Sequence, residues 1–461
     1  MTKAEHHEAF STASMALFRI MYGLVMSYSL IRFMLSGWVE ELWIKPTFFF
    51  KYAWATWMPV WEPTGLYLHI SITLLAALGV TLGLFYKASL LVFVTSFIGL
   101  QLFDQTNYLN HYYLVICLSM PLFLSPAGQR FSLDCLWREK AVLISTEAWP
   151  LYLLRFQLGL VYVFAAIAKI ESDWLFYGQP LSIWLSSRVD LPFIGPLFSL
   201  DYTPLIMSWC GFLYDLLIVP ALLWSTTRLW AYLVVIGFHS MTHILFDIGI
   251  FPLLMTLLTP IFFHPNWPIT LWEKIKNMMG DQHKDLHTHQ PMESYSTHHF
   301  SIQKPWLKRS LIGFICIWCT FHIIFPLRTL WLEDNVLWSE RGMRYSWRVM
   351  LREKNGSLTY RVKSLSSQRE WEVNPKAYLT PRQLSEMSGQ ADMIVQLSHW
   401  IKQDFETRLK QKVAVYADIW VSLNGRPPKR MLNPNLDLTQ VELDDPRLIL
   451  APPLNPPLHS F

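Results

Sequence analysis

Nine stretches of this chain are apolar, almost free of charge, and close to the length that crosses a lipid bilayer: residues 14–36, 63–85, 88–102, 111–124, 150–170, 206–224, 229–246, 248–263 and 310–326. A helix rises about 1.5 Å per residue, so roughly 20 apolar residues span the hydrocarbon core. The shorter stretches need tilt, local thinning or shielding by neighbouring helices. Lipid offers no partner for a bare N–H or C=O, which restricts such segments to helices packed as a bundle. Composition agrees, since 16% of the 461 residues are charged, against about 25% in soluble globular chains. The expected fold is a polytopic α-helical membrane bundle of about nine spans over residues 1–330, followed by a C-terminal extracytoplasmic α+β domain over 331–461.

Orientation follows from where the basic residues fall. With the N-terminus in the cytoplasm, Lys3, Lys87, Arg130, Arg138, Lys140, Arg228, Lys274, Lys276, Lys284, Lys304, Lys308 and Arg309 lie inside, and only Lys45, Lys51 and Arg188 precede the last span on the outside. Positive loops stay inside, and an odd number of spans then leaves the region from about Leu330 outside. The net charge of +4 is absorbed by this topology and calls for no nucleic acid. Met1–Phe10 lacks the basic start of a cleaved signal peptide, so the first span is expected to stay as an anchor. These features fit a bacterial inner membrane with a periplasmic C-terminal domain. Nothing in the sequence sets an oligomeric state. All five cysteines (Cys117, Cys135, Cys210, Cys316 and Cys319) fall in or beside apolar stretches, so the outer domain is expected to fold without a disulfide. The loop 280–304 carries His283, His287, His289, His298 and His299 at irregular spacing, which reads as a solvated linker rather than a metal site.

From Arg344 the texture becomes that of a small α+β unit. Residues 345–352 and 358–364 have strand character around Asn355-Gly356, a pair suited to a hairpin turn. Thr380-Pro381 reads as the N-cap and first residue of a helix running to about Lys412. Residues 413–423 return to strand pattern and meet a second turn signal, Asn424-Gly425, and residues 452–461 are expected to be extended.

Polar groups in apolar stretches are costly and usually face a cavity. Here they are Asp104, Asn107, Asn110 and His111 at an outer boundary, Arg155, Gln157 and Lys169 in the fifth stretch, Asp215 in the sixth, and His239, His243 and Asp247 around the seventh. On the predicted topology His111, Lys169 and His239 reach similar depth, so three spans are expected to converge beneath the outer domain. Plainer roles compete. Lys169 can snorkel and pair with Glu171 or Asp173, His111 can cap its helix, and Arg155 can neutralise Asp215. His239, His243 and Asp247 share one helical face at four-residue spacing, a thin basis for a metal, and none is predicted.

Asn110-His111-Tyr112-Tyr113-Leu114 is similar to the asparagine–histidine motif that precedes a span in the vitamin K-dependent gamma-glutamyl carboxylases. Leu153-Leu154-Arg155-Phe156-Gln157, and the run from Val161 to Trp174 centred on Lys169, resemble the stretch holding that family's essential lysine. Phe238-His239-Ser240-Met241, Ile248-Gly249-Ile250-Phe251, Tyr345-Ser346-Trp347-Arg348-Val349-Met350 and Asp418 to Asn424 match further positions, in order, between about Phe10 and about Leu450. The chain thus resembles a short prokaryotic-type member of that family, within the wider horizontally transferred transmembrane domain group. The resemblance implies reduced vitamin K (a naphthohydroquinone, phylloquinol or menaquinol) as cofactor, O₂ and CO₂ as co-substrates, and a glutamate-containing peptide or protein as partner in a lipid bilayer. Oxygenation of the hydroquinone to its epoxide would generate a base strong enough for the glutamate Cγ–H, and the carbanion would attack CO₂. Lys169 would be the initial base; it must be neutral to act, and an apolar cavity penalises its charge. His111 would stabilise the developing ring anion. Asn110, Arg155, Gln157, Asp215 and His239 are assigned to the cofactor side, and Tyr345, Trp347, Met350 and Arg352 to the peptide side.

There are departures. Arg352 stands where the family has a histidine, Met343 replaces a tyrosine and Thr259 a serine. The disulfide that joins bundle to outer domain in animal enzymes has no cysteine here, and propeptide tethering through their large lumenal continuation is not expected. Two further readings therefore stay open: a quinol epoxidase that does not carboxylate glutamate, and a non-catalytic membrane transporter or binding protein. No inverted repeat supports the last.

Overall fold

The computed structural model describes residues 10–137, 145–279, 299–300, 304–443, 445, 448–453 and 455–457. Lys3, Arg138, Lys140, Lys284, His283, His287, His289, His298 and the end of the proline-rich tail lie outside the described residues. Each of the nine apolar stretches forms a helix: α1 Ala13–Leu35, α2 Pro63–Leu82, α3 Tyr86–Leu102, α4 Asn110–Leu124, α5 Trp149–Ala168, α6 Thr203–Leu223, α7 Arg228–Leu245, α8 Phe251–Leu258 and α9 Pro305–Leu327. Five of them, α1, α2, α5, α6 and α9, are long and apolar enough to cross a membrane. Helices α3 and α4 are shorter, and α8 continues only as the 3-10 turn Thr259–Phe262. The eighth stretch starts late because Gly249, at φ +62°, turns the chain before α8. Helices α2, α5, α6, α8 and α9 each carry proline in their first two positions, where the missing N–H costs no helical bond.

Helix α1 is packed on several sides. Tyr22 donates to the Val115 carbonyl of α4 at 3.0 Å, and fully buried Arg19 donates to the carbonyls of Val80 (3.1 Å) and Phe131 (2.5 Å). Two backbone carbonyls thus absorb a charge that apolar patterning passes over. Helix α9 stands at the edge, with 11% of its most apolar window buried, which leaves most of its surface to lipid.

The C-terminal region holds a four-stranded antiparallel sheet, in the order β2-β1-β3-β4, made of β1 Lys354–Ser364, β2 Glu370–Val373, β3 Val413–Leu423 and β4 Lys429–Arg430. Between β2 and β3 come α10 Pro381–Met387 and α11 Ala391–Leu409. β1 pairs with β3 along its whole length, Lys354 opposite Leu423 and Ser364 opposite Val413. Helix α11 buries Met393, Ile394, Leu397 and Ile401, the stripe expected of a helix lying on a core. The Thr380 cap is as expected, as a reciprocal capping box with Gln383. Asn424 and Gly425, at φ +48° and +76°, turn β3 into β4.

Three local expectations are corrected. Asn355-Gly356 lies inside β1, opposite Ser422 and Val421, and forms no hairpin. Glycine is needed there for close approach, because a Cβ on Gly356 would sit 2.2 Å from the Ser388 carbonyl oxygen. Residues 345–352 form no strand. Tyr345, Trp347 and Met350 have φ of +63°, +58° and +56°, a left-handed region that a strand excludes. The single helix expected from Pro381 to Lys412 is broken at Ser388–Gln390 into α10 and α11.

Bundle and C-terminal region share one apolar cluster, in which Phe50, Trp174, Leu181 and Leu245 pack with Trp338, Leu351, Met393 and Leu423. Asp173 stitches the two. It accepts from Arg426 at 2.6 and 2.7 Å and from the Asn424 amide at 2.9 Å.

Candidate active site

The loop before α4 is tied down from both sides. Asp104 caps the 3-10 turn Gln105–Asn107, accepting from Thr106 N (2.9 Å) and Oγ1 (2.8 Å) through one oxygen and from Gln383 Nε2 (2.8 Å) through the other. Gln105 donates its backbone N–H to Phe50 (2.8 Å) and its side chain to Asp392 (2.9 Å). Burial raises the Asp104 carboxyl above its ordinary value, against the pull of these hydrogen bonds and of Lys51. The clamped loop delivers Asn107, Tyr108, Asn110 and His111 to a cavity of about 1140 Å³.

The cavity wall has three kinds of surface. Phe33, Trp38, Trp43, Ile70, Phe97 and Leu100 supply an aromatic and apolar part, joined by Tyr112 and Phe251. Asn107, Asn110 and His111 supply neutral polar groups. Glu340, Arg344, Arg348, Arg352, Arg382 and Glu386 bring charge from the C-terminal region. His111 is 7% exposed, packs its ring on Tyr112 (4.5 Å) and Phe251 (6.2 Å), and leaves Nε2 without a partner. Asn110 accepts from the Tyr108 hydroxyl at 2.9 Å and donates to the Arg348 carbonyl at 3.5 Å, so Tyr108 orients it. The Tyr108 hydroxyl in turn accepts from the Tyr345 N–H at 2.7 Å.

On the charged side, most groups are paired. Glu340 meets Arg352 at 2.9 Å and Lys354 at 3.1 Å, Arg344 meets Asp392 at 2.9 Å, and Arg348 meets Glu171 at 3.5 Å. Burial raises the Glu386 carboxyl, opposed by Arg352 and Arg382. Of the four residues expected on the peptide side, Met350 and Arg352 line the cavity. Tyr345 and Trp347 instead pack on Tyr113 of α4, Tyr345 edge-on and Trp347 tilted, each at 5.0 Å, because the left-handed turns redirect them.

Lys169 lies elsewhere. Its Nζ is 2.6 Å from Asp215 Oδ2, with both side chains buried, and 5.1 Å from the Trp174 ring centre. Neither Glu171 nor Asp173 takes it, since Glu171 faces Arg348 and Asp173 faces Arg426. Asp215 therefore neutralises Lys169 and not Arg155. Arg155 donates to the carbonyls of Ile261 (2.9 Å), Phe262 (3.3 Å) and Phe263 (2.9 Å), closing the end of the 3-10 turn after α8. Gln157 accepts from Trp318 of α9 at 3.2 Å. His239 bonds the hydroxyls of Tyr162 (3.1 Å) and Tyr214 (3.4 Å). None of Lys169, Arg155, Gln157, Asp215 and His239 is a wall residue of the cavity.

Of these, His239 comes nearest to the cavity through side-chain contacts. Tyr214 precedes Asp215 and, with Tyr162, bonds His239, whose ring lies 5.8 Å from Phe251; Phe251 in turn lies 6.2 Å from His111. Phe251 interrupts the hydrogen-bonded series. His243 and Asp247 line the cavity while His239 does not, so the three do not face one site despite their four-residue spacing. Among the described residues no group of three or more His, Cys, Asp or Glu is placed to hold a metal ion. The charged wall from Glu340, Arg382 and Glu386 was absent from the sequence reading; nothing local marks it, because it reaches the cavity only through docking of the C-terminal region.

Comparison with known families identifies both parts of the chain. Residues 7–267, more than half of the chain, match the family model described as the HTTM domain. Residues 307–447 match the lumenal domain of vitamin K-dependent gamma-carboxylase. No solved structure matches the chain. With a membrane bundle of the first kind followed in order by a domain of the second, the protein belongs to the vitamin K-dependent gamma-glutamyl carboxylase family.

Proposed function

We propose that this chain couples oxygenation of a vitamin K-type hydroquinone to its epoxide with γ-carboxylation of a peptidyl glutamate. One observation carries the reading: a single cavity joins an aromatic wall bearing His111 to an arginine-rich wall supplied by the C-terminal region. The residues fit the cofactor. Flat rings pack well on Trp43, Phe97 and Tyr112, and the unpartnered His111 Nε2 offers a contact for a ring oxygen. When bound, the hydroquinone supplies the reducing electrons for O₂ and the strong base that no ordinary side chain provides for a glutamate Cγ–H.

The chain's own groups position and exclude. His111 would hold a ring oxygen and stabilise negative charge there. The apolar wall keeps water from the carbanion, and the arginine side attracts the carboxylates of an acidic peptide. Lys169, paired with Asp215, is the residue we assign as base. The Asp215 carboxylate could take up the Lys169 Nζ proton, which would free the amine without leaving an unpaired buried charge. Because Lys169 does not line the cavity, it would serve the ring hydroxyl only once the side chains between them, Phe251 among them, moved aside. We place the N-terminus in the cytoplasm and the C-terminal region in the periplasm of a bacterial inner membrane, on the distribution of basic residues.

A second reading is favoured by Arg352, whose guanidinium is occupied by Glu340. It is epoxidation of the quinol without transfer of carboxylate to glutamate. Purified protein in lipid nanodiscs, given reduced vitamin K, labelled bicarbonate and a short glutamyl peptide, separates the two. Epoxide together with acid-stable label in the peptide supports the first, and epoxide alone supports the second. Lys169→Ala is expected to abolish epoxide formation, and full epoxidation by that variant would remove Lys169 from the mechanism.

A further inference from the structure

Resting on that reading, we propose that Asn107 is a ring-oxygen contact for the naphthoquinone ligand, and that its amide lets the site hold both the hydroxyl-bearing and the carbonyl-bearing forms. The turn that carries Asn107 is rigidly held. Its backbone N–H donates to Asp104 O at 3.1 Å, and the neighbouring Asp104, Gln105 and Thr106 side chains are all hydrogen-bonded. Asn107 is the exception. It is 8% exposed, and neither its Oδ1 nor its Nδ2 has a partner.

Buried polar groups are paired in the great majority of cases, and an orphan of each sign on one side chain asks for a cause. Gln179 also leaves both amide atoms unpaired, but it does not line the cavity. Asn107 does, and so does His111 four residues on, with its own unpartnered Nε2. One short segment therefore offers the cavity a donor, an acceptor and an imidazole nitrogen, beside the aromatic wall. That set suits an aromatic ring carrying oxygen. A hydroxyl donates to Asn107 Oδ1, whereas a carbonyl accepts from Nδ2, so one residue serves the ligand before and after its oxidation.

The test is equilibrium binding, with no turnover, on the full chain in nanodiscs. The probes are 2-methyl-1,4-naphthoquinone, its hydroquinone under anaerobic conditions, and its 2,3-epoxide, read by quenching of tryptophan emission; Trp38 and Trp43 stand in the cavity wall. Asn107→Leu, similar in size but without polar atoms, is expected to weaken all three probes about tenfold, the loss of one good hydrogen bond in a dry site. Asn107→Asp keeps only acceptors. It is expected to hold the hydroquinone within about threefold of the wild type while losing the quinone and epoxide about tenfold. Should Asn107→Leu fail to fold, Asn107→Ala takes its place with the same expected loss. A packing role for Asn107 predicts a lower melting temperature with unchanged Kd, and that result overturns the proposal. Equal losses of hydroxyl and carbonyl forms in Asn107→Asp also overturn it. If the wild type binds none of the three probes, the functional reading falls along with this inference. If the wild type binds and the variants bind equally, only the inference falls.

Discussion

Removing the carboxylate from the buried ion pair tests the structure where the sequence was most ambiguous. Lys169 Nζ and Asp215 Oδ2 are 2.6 Å apart, and their side chains are 9% and 7% exposed. Asp215→Ala strands an ammonium in the bundle. The face of Trp174, 5.1 Å away, is already present in the wild type and compensates nothing new. Breaking one half of a buried pair costs about 3–5 kcal/mol, whereas replacing both halves by apolar side chains of similar volume is neutral or stabilising. Asp215→Ala is therefore expected to lose about 3–5 kcal/mol, and Lys169→Met combined with Asp215→Leu to recover most of it. Unfolding in mixed micelles of rising SDS fraction measures both. The double variant is also expected to form no epoxide, which separates the pair's chemistry from its part in stability. If Asp215→Ala and the double variant unfold at the same SDS fraction as the wild type, the pair is not a desolvated charge pair and the account given of Lys169 fails.

Three further outcomes follow from the contacts outside the membrane. Burial raises the Asp104 carboxyl above its ordinary 3.8, so between that value and the raised one the folded chain binds more protons than the unfolded. The stability tied to this group is present in full below pH 3.8 and is lost as pH rises through the raised value; Asp104→Asn should flatten that part of a melting-temperature profile. An unchanged profile would assign the pH dependence to other groups. Gly356→Ala forces a methyl to within 2.2 Å of the Ser388 carbonyl oxygen. Backbone must move, at about 1–3 kcal/mol, seen as a lower melting temperature and faster proteolysis of the C-terminal region. Arg426→Ala leaves buried Asp173 with only Asn424, at a cost of about 3 kcal/mol or more; hydrogen exchange should quicken around residues 424–426 while the α1–α4 contacts keep their protection.

The family read from short motifs is the one both family matches give. Local reading served Thr380, whose cap reaches three residues, and Asn424-Gly425, whose turn spans two. It misled at Asn355-Gly356. The dipeptide has the turn signature, yet the glycine answers to Ser388, a residue brought in from the end of α10. It misled again over residues 345–352, where alternation suggested a strand and three left-handed residues bent the segment against α4 instead.

The amino-acid order by itself determined the helices, since the length and apolarity of each stretch leave lipid-facing backbone no other way to satisfy its N–H and C=O groups. It also placed Asn110 and His111 at the start of a helix, where they face the cavity. Which charges pair was decided only in three dimensions. Glu171 and Asp173 are two and four residues from Lys169, but the partner is Asp215, 46 residues away, because α5 packs on α6 and turns the amine inward. The cavity's arginine wall arose in the same way, from docking of a distant region onto the bundle. Patterning along a chain reports which side of a helix shuns water; it holds no information on which distant group that side will meet, because that is settled by close packing among all the elements at once.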